Sequence, residues 1–495
     1  MHDKFIVAYL ITSDELIQAE ICKPEYKKNL KGIIRLTLLE KMSLSFSFLK
    51  DRAFLREMLT IALPISFQQL VNASLNMIDV IMVGHLGEAS IAALGLSNQV
   101  FFVFILLVFG LTSGMAIFTA QFWGKREVEP IRKVLGMSIL ITSVIALLFT
   151  FAATLIPRLV LGFYTNDTEV IDIGTSYLKI VGFTYIPVAI ATSYIAVMRS
   201  IHFIKQTVIA SIAALIFKTG LGYALIFGIG GLPALGVRGA AIGTASGWTL
   251  ELILILIFAY AWKTPLAANP LTFFMFDSAF FGRVLKTTLP ALANEMFWSF
   301  GITTYNAIYA HIGTEAIAAI NVNATIEELG FVVFMGLGNA CAVLVGNRIG
   351  AGKKDEAFEV TRRIMLLSVL FAWIVGGLVL FARNSVISLY DLSPEGRYSV
   401  HMLMTVMAGV LWIRMFNFTT FVGAMRAGGD TRFALIMEIF SIWFIGVPAA
   451  YIGAFVLKVP VYYVYLMVAM EEVFKAVVSW RRILSKKWIH DLVNT

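Results

Sequence analysis

An aspartate, Asp79, lies within a long apolar stretch of the sequence, where the chain reads NMIDVIMVGHLG from residue 76 to residue 87. A charged side chain at the middle of a bilayer costs roughly 2.5 kcal/mol or more, so such residues usually face a protein interior and have a function. Gln69, Asn72 and Asn76 precede Asp79 at helical spacings, which places all four on one helix face. We therefore expect this polar stripe to face the interior of a helical bundle.

The chemistry that this stripe predicts is the binding of a small cation. Burial away from water disfavours the charged form of a carboxyl group, so Asp79 can bind and release a proton. Alternatively, its oxygens can bind Na⁺, with the three neighbouring amides as neutral ligands. A hydrogen bond between packed helices, with no role in transport, is the competing interpretation.

The composition indicates an all-α membrane protein. Of the 495 residues, 59% are hydrophobic and 14% are charged, whereas a soluble protein carries about 25% charged residues. Apolar runs of about 20 residues, each long enough to span a bilayer as a helix, recur along the chain. Twelve such spans are centred near residues 70, 106, 146, 187, 217, 250, 297, 333, 374, 413, 444 and 470.

The distribution of basic residues predicts how the chain is oriented in the membrane. Lys and Arg number 23 in the segments on one side of the spans and five in the segments on the other side. This asymmetry predicts a multi-pass protein of the inner (plasma) membrane, embedded in the lipid bilayer with both termini in the cytoplasm. It also accounts for the net charge of +8, so no nucleic acid is expected as a partner.

The chain repeats itself at an offset of 226 residues, or 227 near the end of each repeat. The matching pairs are Pro64 with Pro290, His85 with His311, Gly87 with Gly313, Gly110 with Gly336, and Arg199 with Arg426. We therefore predict two six-helix lobes related by a pseudo-two-fold axis along the membrane normal. This is the generic design of an alternating-access transporter.

The repeat also predicts the domain boundaries. Residues 1–50 are expected to form an N-terminal cytoplasmic extension, for which Met42 is an alternative start. The predicted boundaries of the other parts are 51–261 for the first lobe, 262–284 for a cytoplasmic linker, 285–482 for the second lobe and 483–495 for a cytoplasmic tail.

Other polar residues in apolar spans are candidates for charge pairing or substrate binding. Lys218 lies mid-span, and we expect it to pair with Asp79 or with Glu251, because an unpaired ammonium group in hydrocarbon is costly. In the second lobe, Tyr305 takes the place of Asp79. The remaining second-lobe candidates are Glu295, Trp298, Glu327, Glu328, Arg414 and Asn417.

The motifs that would indicate an enzyme do not occur. The segment GNRIGAGKK at 346–354 resembles a phosphate loop, but no Ser or Thr follows the lysine. The sequence also lacks HExxH, GxSxG and CxxC. We predict no enzymatic activity and no cofactor, and no metal other than Na⁺ at Asp79.

Several segments carry a resemblance to a known family: IALPISFQQL, MIDVIMVGHLGEASIAALGL, TLPALANEMFWSFG, HIGTEAIAAINV, GNRIGAGKKDEA and MRAGGDTRF. Together they resemble the prokaryotic type of MATE (multidrug and toxic compound extrusion) transporters over about residues 50–485. The resemblance implies a V-shaped pair of six-helix lobes that exports cationic or amphipathic compounds, driven by inward H⁺ or Na⁺. In many prokaryotic members the first-helix aspartate couples the ion, and Asp79 matches that residue.

Two departures from the family pattern bear on the expected ion. In several members the fifth helix offers an asparagine and, one turn later, an acid, whereas this chain has Lys218 and Gly222 there. A lysine repels Na⁺, so we expect Asp79 to couple to H⁺, with Na⁺ as the alternative. The branch that couples ions in the second lobe has a glutamate about where Trp298 stands, and a tenth-helix aspartate that is absent here; Glu295 lies one turn away.

The sequence thus predicts a monomeric secondary active antiporter that exports small organic cations or amphipathic drugs by alternating access. The alternative is a flippase or an exporter of lipid-linked or metabolite substrates on a related architecture. Lys218 and Arg414 keep that alternative open, because basic residues in the cavity would bind a pyrophosphate group.

Overall fold

Long helices account for nearly all of the regular structure. The computed structural model describes residues 51–388, 390 and 392–494, so the predicted extension 1–50, with its alternative start at Met42, lies outside the described residues. Within the described part no strand occurs, and each of the twelve predicted spans lies in a helix. These helices, labelled α1 to α12, are Arg52–Gly84, Glu88–Lys125, Val128–Leu155, Thr168–Ser200, Ile204–Phe227, Val237–Ala261, Ser278–Ile312, Thr314–Gly350, Lys354–Ile387, Pro394–Met425, Thr431–Val456 and, in two parts, Val461–Val468 with Met470–Leu484.

Ten helices of the described residues are long and apolar enough to cross a membrane. The other two spans are α7, which is more polar, and α12, which is divided at Ala469 into two shorter pieces. Both correspond to predicted spans, and both carry charged residues of the second lobe. Helices α1–α6 form the first lobe and α7–α12 form the second, as predicted.

The two halves of the repeat have the same local structure. Pro64 and Pro290 lie inside α1 and α7. Gly87 and Gly313 precede α2 and α8, with φ values of 104° and 154°. Side chains other than glycine rarely adopt such positive φ values, so the repeat retains glycine at these two helix starts.

The lobes contact each other through small residues, and the offset of the repeat converts the residues of one contact into those of another. A Cβ added to Gly110 of α2 would lie 2.9 Å from Leu292 Cα of α7, and one added to Gly336 of α8 would collide with Ser66 of α1. The offset of 226 converts the first pair into the second. Ala120 Cβ lies 2.7 Å from a Cβ built on Gly346, and the same offset converts Ala120 into Gly346. The pseudo-two-fold axis therefore passes through the contact between α2 and α8.

The connection between the lobes is anchored to the first lobe. Phe273 is 1% exposed and lies in a first-lobe core cluster, and Arg132 of α3 donates a hydrogen bond to the carbonyl of Pro265 at 2.8 Å. The α7 helix begins at Ser278, inside the predicted linker 262–284, because the Asp277 side chain accepts a hydrogen bond from Phe280 N at 2.6 Å and caps the helix there.

The tail that follows α12 binds to both lobes. Trp488 is fully buried, against Gly428 of the second lobe, and His490 N donates to Gly428 O at 2.8 Å. Gln121 of the first lobe accepts from Leu492 N at 2.9 Å and donates to His490 O at 3.1 Å. The predicted tail is thus a packed segment that joins the lobes.

Asp430, in the connection between α10 and α11, binds the end of α12. Asp430 accepts hydrogen bonds from Arg482 Nε and Nη2 at 2.8 and 3.2 Å, and His490 Nε2 lies 3.6 Å from its Oδ1. Burial alone would raise the pKa of Asp430, but His490 and Arg482 hold it below its usual range. Asp430 is therefore charged at neutral pH.

Candidate cation and substrate sites

The Asp79 side chain is held by two residues of α5. Lys218 Nζ lies 2.7 Å from Asp79 Oδ2, and Thr219 Oγ1 donates a hydrogen bond to Asp79 Oδ1 at 3.3 Å. The side chains of Asp79 and Lys218 are 20% and 15% exposed. A partly buried ion pair therefore joins α1 to α5 inside the first lobe.

Two glycines of α6 make room for Lys218. A Cβ on Gly247 would lie 2.5 Å from Lys218 Cβ, and one on Gly243 would lie 2.6 Å from Gly222 Cα. Helices α5 and α6 therefore pack closely along this line, and the stem of Lys218 lies over Gly247. The charged end of the lysine is directed to Asp79, away from the alternative partner Glu251.

The other predicted residues of the first-lobe stripe are not hydrogen-bonded to Asp79. Gln69 and Asn72 are half-buried, and Asn76 is exposed. Among the described residues, the hydrogen-bond partners of Asp79 are Lys218 and Thr219 rather than these amides. Lys218 and Thr219 of α5, rather than the three amides of α1, thus hold the Asp79 carboxylate.

Glu251, the alternative partner of Lys218, makes a different polar contact. It is 5% exposed and accepts a hydrogen bond from Ser211 Oγ at 2.5 Å. This contact links α6 to α5 about two turns before Lys218.

A cavity of about 390 Å³ lies in the second lobe and contacts many of the predicted candidates. Its wall includes the side chains of Glu295, Trp298, Glu327, Arg414 and Asn417. Five glutamates and three basic residues line it, which leaves two formal negative charges uncompensated. Its aromatic residues are Phe109, Trp298, Phe331, Phe418 and Phe421.

Two predicted residues of α8 and α10 form an ion pair at the cavity wall. Arg414 donates a hydrogen bond to Glu327, and its Nη1 also lies 3.0 Å from the hydroxyl of Tyr465. Tyr465 in turn donates to Glu327 Oε2 at 3.1 Å. Glu328, the neighbouring candidate, is exposed and does not line this cavity.

The most acidic part of the cavity surrounds one lysine of α12. Lys475 Nζ lies 3.2 Å from Glu438, 3.7 Å from Glu471 and 3.9 Å from Glu472. The Lys475 side chain is 5% exposed and those of the three glutamates are 13% exposed or less. One ammonium group cannot neutralise three carboxylates in a buried cluster, so this site favours an added proton or cation.

Two predicted residues contact this acidic cluster from neighbouring helices. Tyr305, which replaces Asp79 in the repeat, donates a hydrogen bond to Glu471 Oε2 at 2.6 Å. Asn417 Nδ2 donates to Glu472 Oε2 at 2.6 Å. The hydrogen bonds of Tyr305 and Asn417 stabilise the charged forms of both glutamates, and the α10 chain turns into a π-helical segment at Thr419, directly after this contact.

Glu295 is bound by Arg426, one of the 23 basic residues near the ends of the apolar spans. Arg426 donates to Glu295, and its Nη2 also lies 3.0 Å from Asn294 Oδ1. Arg426 is 4% exposed. The charge count treats Arg426 as a residue at the membrane surface. This is wrong, because Arg426 lies buried at the end of the π-helical segment. Trp298 on the same helix is 40% exposed.

Helical spacing in the sequence makes Glu471, Glu472 and Lys475 neighbours along one helix, but it does not predict their connection to Glu438. Helical periodicity predicts contacts within a helix, whereas Glu438 lies on α11 and reaches Lys475 across a helix interface. A signal for Arg426 was available, since the repeat pairs it with Arg199 at the end of an apolar span.

Comparison with known proteins gives a consistent result. The family model described as MatE matches residues 64–224 and again 290–452. The probable multidrug resistance protein NorM of Thermotoga maritima is 23% identical over 454 residues, covering 89% of this chain and 94% of that protein. The multidrug resistance protein PmpM of Pseudomonas aeruginosa is 23% identical over 416 residues, covering 81% of this chain and 84% of that protein.

Solved structures show the same fold. A mutant of the Vibrio cholerae MATE transporter VcmN superposes with a TM-score of 0.81 at 16% identity, covering 90% of this chain and 99% of that one. An outward-facing multidrug resistance MATE family transporter gives a TM-score of 0.78 at 18% identity, covering 87% and 96%. Both halves of the repeat match the family model, so the chain belongs to the MatE family and is a membrane transporter, not an enzyme.

Proposed function

We propose that the protein is a secondary active antiporter that exports cationic or amphipathic organic compounds by alternating access, in exchange for protons that move inward. The observation that carries this proposal is the second-lobe cavity, which combines five aromatic residues with a surplus of two glutamates. Aromatic faces and buried carboxylates attract apolar cations, and a cavity of several hundred Å³ is the usual size for a small-molecule site.

The ion pair in the first lobe supports coupling to protons rather than to Na⁺. Lys218 Nζ lies 2.7 Å from Asp79 Oδ2, so an ammonium group already occupies the place where a Na⁺ ion would contact the carboxylate. A proton needs no such place, because it binds directly to a carboxylate oxygen. Breaking a buried pair by neutralising one partner costs several kcal/mol, because the other charge is left without a counter-ion.

This cost supplies the link between proton binding and motion. When Asp79 is protonated, Lys218 is stabilised by a rearrangement in which its ammonium group reaches water or another acid. Proton binding thus favours a second arrangement of α1 and α5, and a ligand can shift an equilibrium only through such a difference between states.

The contacts between the lobes support an alternating-access mechanism. Gly110, Gly336 and Gly346 bring α2 and α8 against the opposite lobe. A substrate can enter between the lobes from the end of the transporter that these contacts close only when the contacts separate. We assign this end to the cytoplasm of a protein in the inner (plasma) membrane, with both termini on that side and a monomer as the working unit. The predicted linker, 262–284, is shortened to 262–277 because α7 begins at Ser278, and the other predicted boundaries are retained in this proposal.

The flippase alternative loses the support that it had in the sequence. It depended on Lys218 and Arg414 as cations for a pyrophosphate group. Lys218 is paired with Asp79, and Arg414 is paired with Glu327. The cavity that Arg414 lines has more acidic than basic residues, so it favours a cation over a pyrophosphate.

The test is ethidium transport by the purified protein in proteoliposomes, with a pH gradient and a Na⁺ gradient imposed separately. We expect the pH gradient to drive transport and the Na⁺ gradient alone to leave it at the background rate. Asp79→Asn should reduce proton-driven transport at least about tenfold, whereas Glu88→Gln at the exposed start of α2 should retain it. Absence of ethidium transport under either gradient would contradict the proposed function, and full activity of Asp79→Asn would remove Asp79 from the coupling mechanism.

A further inference from the structure

A second cavity, of about 130 Å³, lies between the two lobes and has the opposite electrostatic character. Arg199 of α4 and Arg426 of α10 line it, together with hydroxyl and amide side chains such as those of Thr192 and Asn339. Among the described residues that line this cavity there is no aspartate or glutamate. The adjoining second-lobe cavity has five glutamates, so two neighbouring spaces carry opposite charge.

The two arginines are counterparts in the repeat, but their charges are compensated differently. Arg426 contacts both Asn294 and Glu295. The offset of 226 converts those two residues into Gln68 and Gln69. Arg199 Nη2 does donate to Gln68 Oε1 at 2.8 Å, but Gln69 has no charge. The first lobe thus keeps the amide contact of its arginine and lacks the carboxylate.

The guanidinium group of Arg199 is incompletely satisfied. Its Nε is buried and has no hydrogen-bond acceptor in residues 51–388 and 392–494. Glu251 is close enough to interact electrostatically, yet it accepts its hydrogen bond from Ser211, and no ion pair within 4.0 Å joins it to Arg199 in the described part of the chain. A buried donor without an acceptor is destabilising, and a negatively charged ligand that accepts its hydrogen bond would remove that cost.

The two cavities adjoin along a shared and mostly apolar wall. Phe109, Met335, Phe418, Val422 and Arg426 line both. A single molecule can therefore place an apolar body against Phe109 and Phe418, with one end in each cavity. A guanidinium group recognises a planar carboxylate through paired hydrogen bonds, which suits the Arg199 end.

We propose that Arg199 forms a binding subsite for the carboxylate of an amphipathic substrate whose positively charged end lies among the glutamates of the second-lobe cavity. This inference rests on the proposed function, since it names the class of compound that the exporter takes: molecules with an apolar body that separates a carboxylate from a cationic group. Arg426 is not the anion-binding group, because Glu295 already compensates its charge.

The test compares rhodamine B, which has a free carboxylate and a cationic ring system, with its ethyl ester, which has the cation alone. Binding of each dye to the purified protein is measured by fluorescence anisotropy. We expect Arg199→Gln to weaken the binding of rhodamine B about ten- to a hundredfold, the range for loss of a charged hydrogen bond, while the affinity for the ester changes less than about twofold. Arg199→Lys should retain more of the affinity for rhodamine B than Arg199→Gln, and Arg238→Gln, at an exposed arginine of α6, should match wild type.

Thermal unfolding of each variant separates a folding defect from a binding defect, and Arg199→Lys provides the comparison if Arg199→Gln is unstable. Equal losses for both dyes in Arg199→Gln, or no loss for either, would overturn the subsite. Binding and transport of the ester by wild type together with exclusion of rhodamine B would also overturn it and leave the proposed function standing. Failure of wild type to bind or transport either dye would instead reject the proposed function, and the subsite with it.

Discussion

The two lobes share a fold and a repeat, but they balance buried charge in different ways. In the first lobe one carboxylate, Asp79, faces one ammonium group, Lys218, at 2.7 Å. In the second lobe a single ammonium group, Lys475, faces three carboxylates between 3.2 and 3.9 Å away. A balanced pair changes its state when one proton binds, whereas a surplus of acid attracts a cation from outside. We therefore propose ion coupling in the first lobe and cation binding in the second.

The backbone also differs between the two lobes. Helices α10 and α11 contain π-helical segments at Thr419–Met425, Ser441–Gly446 and Ile452–Val456. The described helices of the first lobe contain none. Such segments often occur at functional sites because they displace the helix by one residue and redirect the side chains that follow. Four helices, α7, α10, α11 and α12, supply Lys475, its acids and their hydrogen-bond partners. Two of them, α10 and α11, contain π-helical segments, whereas α1 and α5 contain none.

Lys475→Met gives the largest expected effect, because it removes the only ammonium group that contacts this acidic cluster in the described chain. We expect the free energy of unfolding to fall by about 3–5 kcal/mol, the range for breaking a buried pair. Thermal unfolding in detergent measures the change, with Lys286→Met, at an exposed lysine of α7, as the control. Equal melting temperatures for these two variants would show that the cluster is not a buried, charged unit.

Lys218→Asn tests whether the lysine of the balanced pair excludes Na⁺. With the ammonium group removed from Asp79, we expect Na⁺ to bind at least about tenfold more tightly, since a charged hydrogen bond worth about 1.5–3 kcal/mol no longer competes. Sodium-dependent dye transport measures this, with Lys205→Asn, at an exposed lysine, as the control. Identical sodium dependence in Lys218→Asn and wild type would rule out the exclusion role.

Glu438→Gln reduces the acid surplus of the second lobe by one charge. We expect affinity for ethidium to fall by about three- to tenfold, roughly 1 kcal/mol, while proton-driven coupling through Asp79 persists. Equilibrium binding reports the first quantity and pH-driven transport the second. Glu395→Gln, at an exposed glutamate in the first turn of α10, is the matched control. Unchanged or tighter ethidium binding by Glu438→Gln would contradict the assignment of cation binding to this lobe.

Asp430→Asn gives the smallest effect, because it acts outside both charge clusters. Removing the charge that Arg482 contacts should lower stability by about 0.5–1 kcal/mol at pH 7. The pKa of Asp430 is depressed in the folded protein, so this contribution is present above the unfolded pKa of about 3.9 and is lost as the pH falls through the lower, folded value. Melting temperatures of the variant and wild type should therefore differ above about pH 4 and converge below it. A constant difference down to lower pH would mean that the charge is not the cause.

The sequence was sufficient for the twelve helices and the two lobes because those depend on local composition and on an internal repeat. Contacts across helices were harder to predict. Lys218 was expected to pair with either of two acids, and the choice of Asp79 depends on Gly243 and Gly247, which set how closely α5 and α6 pack. Periodicity along one helix does not report which residue of another helix lies opposite, so Glu438 was not linked to Lys475.

The same limit explains the placement of the arginines. Charge counts treat every Lys or Arg near the end of an apolar span as a surface residue, but Arg426 is buried because Glu295 and Asn294 bind it. The repeat held the relevant information, since it aligns Glu295 with Gln69. Differences between the two halves, such as Glu295 in place of Gln69, therefore indicate the sites better than either half alone.

The glycine contacts at the axis have a consequence for how the halves diverged. Contacts that exchange under a two-fold operation are the kind that two identical chains make, and in such a dimer every substitution alters both copies at once. In a fused chain, Gly110–Leu292 and Gly336–Ser66 are separate pairs, so one half can change alone. Selection acting on Asp79 no longer constrains Tyr305. Each half is free to specialise while these glycine contacts keep the two halves together.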